Sequence, residues 1–138
     1  MKRLKRNTGF TLLEIIIVII IIGVLASLAM PRFFRTVEYS RATEALANLS
    51  AMRQSMQRCF LQHNSYAAPF CDTLTRLDVD DPSADPTSHF TYNVQTVTAN
   101  TFILRATRNA LDGGTVGSFI QIAQDGVKSG TGAFAGIQ

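Results

Sequence analysis

Gly9-Phe10-Thr11-Leu12-Leu13-Glu14-Ile15-Ile16-Ile17-Val18-Ile19-Ile20-Ile21-Ile22 is the stretch that decides how this chain is read. Between Arg6 and Arg32 the only ionisable side chain is Glu14, and Ile15–Ile22 is an unbroken aliphatic run. The 21 residues from Phe10 to Met30 match the ~20 that a helix needs to cross ~30 Å of hydrocarbon. Lys2, Arg3, Lys5 and Arg6 lie on the N-terminal side of that block. Cations there hold the N-terminus in the cytoplasm and send the C-terminal portion across.

Around this block the composition sets bounds. The chain has 138 residues, 46% of them hydrophobic and 17% charged, which suits one modest domain. A disordered chain is poorer in apolar residues and a multi-span membrane protein richer. The net charge of +3 belongs to the first nine residues: without them nine basic face ten acidic residues, a net of −1. Binding to nucleic acid through bulk positive charge is therefore not expected. An ordinary secretory signal is the competing explanation of the N-terminus, with Ala26-Ser27-Leu28-Ala29 as its cleavage site. Glu14 counts against it, because a plain apolar signal core has no use for a charge, and the helical pattern continues past the block.

The basic leader, Gly9-Phe10-Thr11-Leu12-Leu13-Glu14 and the aliphatic run together resemble the class III signal of type IV prepilins and type II secretion pseudopilins. The resemblance covers residues 1–35 and includes Pro31, where many pilins have a proline kink. It implies an α+β, type IV pilin-like fold. It implies cleavage between Gly9 and Phe10 by a prepilin peptidase, and methylation of the new Phe10 amine. It implies polymerisation with copies of the same chain by an inner-membrane pilus or secretion machinery, with membrane lipid as the environment before assembly.

Glu14 poses a problem that chemistry states independently. A lone carboxylate at a helix centre in hydrocarbon costs roughly 2.5–3.5 kcal/mol, so Glu14 needs a proton or a partner. The family implies a neighbour's Phe10 ammonium, which makes Phe10 and Glu14 the assembly residues. The plainer alternative is that Glu14 caps its own helix.

Beyond Pro31, Ala42, Ala45, Leu46, Leu49, Met52, Met56 and Phe60 recur at three- and four-residue steps and form one apolar stripe. A single helix is predicted over about residues 11–62, ~75 Å at 1.5 Å per residue. Pro31 removes a backbone donor within it, and Gly23 is a second weak point that also permits close helix approach. Phe33, Phe34, Tyr39 and Phe60 read as helix-packing residues.

Residues 63–87 read as a loop, punctuated by Asn64-Ser65, Pro69, Asp80-Asp81-Pro82 and Asp85-Pro86. From Ser88 the period becomes two. Phe90, Tyr92 and Val94 form one run, Phe102, Leu104 and Ala106 a second, and residues 118–123 a third. Gln124-Asp125-Gly126-Val127 then turns into a short fourth strand. Strands that follow one another without an intervening helix make an antiparallel sheet of three to four strands, covered on one face by the helical stripe. The expected layout is a cleaved leader 1–9, a membrane and filament-core helix 10–31, and an extracytoplasmic domain 32–138. That domain divides into helix 32–62, loop 63–87, sheet 88–129 and a small tail 130–138, mobile or docked on a neighbour.

Cys59 and Cys71 lie in the translocated part, where an oxidising compartment favours a disulfide. The metal alternative, Cys59, His63 and Cys71 with His89, lacks a close cysteine pair. Asp78, Asp80, Asp81 and Asp85 are weak calcium candidates, better read as a solvated acidic loop. His63 and His89 read as isolated. Asn48-Leu49-Ser50 fits a glycosylation triplet, but on a helix. No catalytic constellation, phosphate loop or cofactor motif is present, so the expectation is a structural subunit and not an enzyme. Its expected place is the cytoplasmic membrane, then a filament. A pilus subunit comes first; a type II secretion pseudopilin, a minor DNA-binding competence pilin and a single-span anchored periplasmic binding module are the alternatives.

Overall fold

The computed structural model describes residues 9–137, so the leader, apart from Gly9, lies outside the described residues. The chain divides into two compact units between Arg35 and Thr36, four residues later than the boundary expected at Pro31. One helix, α1 (Leu12–His63), contributes to both. It continues through Gly23 and Pro31, so the proline removes one donor from the ladder without ending the helix. In the first unit the apolar side chains from Leu12 to Met30 are exposed to an extent no water-facing helix tolerates. This part is long and apolar enough to cross a membrane.

The second unit is a helix laid on a sheet. Four strands, β1 (Phe90–Val97), β2 (Phe102–Arg108), β3 (Phe119–Ala123) and β4 (Lys128–Gly130), pair antiparallel in chain order. Their inward residues Phe90, Tyr92, Phe102, Leu104, Ala106, Ile120 and Ile122 are buried together with Ala42, Ala45, Leu49, Met52, Met56 and Cys59 of α1. Leu46 and Phe60 flank that core, half-buried. A bulge between Val94 and Thr96 shifts the β1–β2 register near the turn. Before the sheet, the segment expected as plain loop contains two single-turn 3₁₀ helices, Leu74–Arg76 and Pro82–Ala84.

The tail docks on its own domain. Phe134 is fully buried, its ring centroid 5.6 Å from that of Phe90, and it closes the end of the core. The chain reaches it through Gly132, whose φ of +61° suits glycine and whose missing Cβ would lie 2.3 Å from the Ser118 hydroxyl.

Candidate assembly site

At the start of α1, Thr11 and Glu14 form a capping box. The Thr11 amide and hydroxyl each donate to Glu14 Oε2 at 2.8 Å, and the Glu14 amide donates to Thr11 Oγ1 at 3.3 Å. Two amides otherwise without helical acceptors are thereby satisfied. Glu14 thus caps its own helix. Phe10 is 84% exposed and a Cβ at Gly9 would meet nothing within 4 Å, so among the described residues the Gly9–Phe10 bond stands clear. Gly23 is equally open.

In the second unit Cys59 and Cys71 form a disulfide. Their thiols are therefore unavailable to a metal. Beside the bridge, Arg58, Gln62, His63, Arg76 and Asp78 line a groove of about 80 Å³, room for little more than ordered water. Asp78 accepts from Arg58 Nε at 2.8 Å and from the buried Ser55 hydroxyl. The Arg58 and Ser55 hydrogen bonds hold its carboxyl down to about 2. The other acidic candidates are dispersed in their use. Asp81 caps Pro82–Ala84 through the Ser83 amide, Asp85 accepts from the Thr87 amide and hydroxyl, and Asp80 stands exposed. Among the described residues no group of three side chains could hold a metal ion. His63 is not isolated: it stacks on Phe70 at 4.5 Å.

The most constrained polar centre went unnoticed in the sequence. Arg108, 1% exposed, donates from Nε and Nη2 to both oxygens of Glu38 at 3.1 and 3.2 Å. It also donates to the carbonyls of His89, Asn109 and Leu111 at 3.1, 3.1 and 2.9 Å. A planar fork of five donors meets this many acceptors where an ammonium does not. Arg108, ahead of Arg41, keeps Glu38 below the usual carboxylate range. Gly114 makes room, since a Cβ there would lie 2.2 Å from the guanidinium carbon. His89 also departs from its isolated reading: Nε2 lies 3.0 Å from Asp112, which in turn accepts from Arg41. Its Nδ1 faces Glu44 at 3.8 Å, so the two carboxylates sit on opposite edges of the ring and do not converge on one ion. The centre joins α1, β1, β2 and the 109–117 connection.

An apolar helix with an acid four residues after the Gly-Phe junction, carried into a helix-on-sheet domain, defines the class of type IV pilin-like proteins. Residues 31–117 match the family described as type IV minor pilin ComP, DNA uptake sequence receptor, and the chain belongs to that family. Residues 4–30 match the prokaryotic N-terminal methylation motif. The chain is 40% identical to the type IV major pilin protein PilA of Myxococcus xanthus over 45% of its own length and 28% of that protein's. With type II secretion system core protein G it is 35% identical for Klebsiella pneumoniae, over 60% of this chain and 58% of the relative. For Vibrio cholerae the figure is 32%, over 48% and 45%. The chain thus spans less than two thirds of the length of these curated relatives. The fold is shared with the non-core minor pilin PilV of Neisseria meningitidis, at TM-score 0.54 and 17% identity, covering 72% of this chain and 94% of that one.

Proposed function

We propose that this chain is a structural subunit of a type IV pilus-like filament. A prepilin peptidase removes residues 1–9, Phe10 is methylated, and residues 10–31 hold the subunit in the cytoplasmic membrane until it joins the filament. Assembly exchanges one apolar environment for another, lipid for the like helices of other copies. No catalysis and no cofactor enters the proposal. The observation that carries it is the exposed apolar helix headed by Gly9, Phe10 and Glu14. Electron microscopy of sheared surface filaments, with peptide mass identification, tests it: filaments containing this chain are expected, and its confinement to the membrane as a monomer refutes it.

Two observations each favour a further reading. The relatives named core protein G support a pseudopilin in a type II secretion system, which the same microscopy separates by whether filaments leave the envelope. The family's description supports DNA capture. Residues 36–138 carry seven basic and nine acidic side chains, so such capture would rest on a few placed cations and show a shallow salt dependence.

A further inference from the structure

The outward face of the sheet differs from a plain solvated face. Register places Asn93, Arg105 and Gln121 in one row, with Thr107 and Phe119 beside it on one side and Ile103 and Ala123 on the other. The β2 and β3 members of these rows are half-buried. The Arg105 guanidinium lies 4.0 Å from the Phe119 ring centroid, and Nη2 donates to Gln121 at 3.2 Å. Its Nε is screened from solvent and has no acceptor among the described residues. Arg41, Arg58, Arg76 and Arg108 each hold a carboxylate, whereas Arg105 forms no ion pair among the described residues. A stacked, pre-oriented guanidinium without a counter-ion, set among apolar neighbours, has the character of an interface anchor.

The complementary charge lies elsewhere on the same domain. Residues 78–85 run beside β1, where the Tyr92 amide donates to Ser83 Oγ at 2.8 Å. Within this acidic segment Asp78 is taken by Arg58, and Asp81 and Asp85 are turned to neighbouring backbone amides. Asp80 is exposed, with no hydrogen bond or ion pair among the described residues.

We propose that the Arg105–Phe119 face of one copy docks the Asp80 segment of the next. The proposal rests on the filament reading and adds the partner of this face. The two patches are different surfaces of one chain, so the contact can repeat head to tail from copy to copy, as a helical filament requires. A second copy is favoured over nucleic acid because residues 36–138 carry more acid than base, which a polyanion meets with net repulsion.

The test is a charge swap in the full-length chain. Arg105→Glu and Asp80→Arg are each expected to lower filament yield at least about tenfold, because like charges then face each other. The doubly swapped chain should regain most of it. Cleaved product, membrane level and the Cys59–Cys71 bridge report folding. If Arg105→Glu fails on these, copies bearing Asp80→Cys and Thr107→Cys, joined by a short bis-maleimide, should give a ladder of linked subunits. Wild-type filaments with no ladder, or a swapped chain no better than its parents, overturn the docking while leaving the filament reading intact. Normal filaments from Arg105→Glu with lost capture of duplex DNA overturn it in favour of a polyanion site. Wild-type cells without filaments remove both.

Discussion

At the scale of single residues, Arg108 ties four parts of the second unit's chain together through one buried guanidinium. Replacing it with Ala leaves the half-buried Glu38 carboxylate with Arg41 alone and the Asn109 carbonyl without a donor among the described residues, while the His89 and Leu111 carbonyls keep the Asn109 and Gly114 amides. Because Glu38 keeps Arg41, the expected loss falls below the ~3–5 kcal/mol of a fully orphaned buried charge. Thermal unfolding of the full chain in detergent should show that loss, and Arg108→Lys should recover only part, since an ammonium does not reach both Glu38 oxygens and the carbonyls together. Gly9 is critical in a different way on the proposed function, because a Cβ there meets nothing within 4 Å among the described residues and a larger side chain would burden only the peptidase. Gly9→Val is expected to accumulate as uncut precursor, seen as a larger band whose N-terminus is Met1. Wild-type protein that itself begins at Met1, or after Ala29, refutes cleavage at Gly9.

Among the elements, the disulfide and Asp78 are two of the holds on the segment between α1 and β1. The bridge spans 12 residues, and closing a loop of that size in the unfolded chain is worth roughly 3 kcal/mol. Cys59→Ser should lower unfolding stability accordingly while membrane insertion, which depends on residues 10–31, is unchanged. Asp78 makes the second hold acid-sensitive. Its carboxyl is lowered from 3.8 to about 2 in the folded chain, so its contribution is complete above 3.8 and is lost as pH falls toward 2. Asp78→Asn should therefore flatten the decline in stability over that window, followed by fluorescence or circular dichroism. These elements were legible to different degrees. The apolar stripe of α1 and the alternation in β1–β3 named the core, because burial there follows a strict period. The same parity, carried past Phe102, Leu104 and Ala106, points Arg108 inward, but a charge at the end of an apolar run reads as the end of the strand. Its partner Glu38 lies 70 positions away, and no local pattern joins the two. Phe134 escaped notice because a lone aromatic between glycines has no period at all.

For the whole molecule, the question is whether the chain polymerises or remains a single anchored subunit, and Glu14→Leu separates the two. In a monomer the substitution removes the two Thr11 hydrogen bonds to the carboxylate and keeps the residue-14 amide on Thr11 Oγ1, a loss of about 0.3–1.5 kcal/mol at the helix start. It also removes a carboxylate whose presence within hydrocarbon costs roughly 2.5–3.5 kcal/mol. The second effect is larger, so membrane retention should be unchanged or stronger. In a filament the substitution deletes the partner of a neighbour's Phe10 ammonium and leaves that charge desolvated at every subunit contact. The cost of about 3–5 kcal/mol per broken pair then recurs along the polymer. On the proposed assembly, capping and pairing are successive uses of one carboxylate, because the Phe10 ammonium would form only on cleavage and would then draw Glu14 from Thr11. Glu14→Leu protein should therefore be cleaved normally and sit in the membrane at normal levels, yet give few or no filaments in sheared fractions. Filaments of ordinary number and length from this variant would remove Glu14 from assembly and leave it a helix cap, the role a single-span anchored module requires of it.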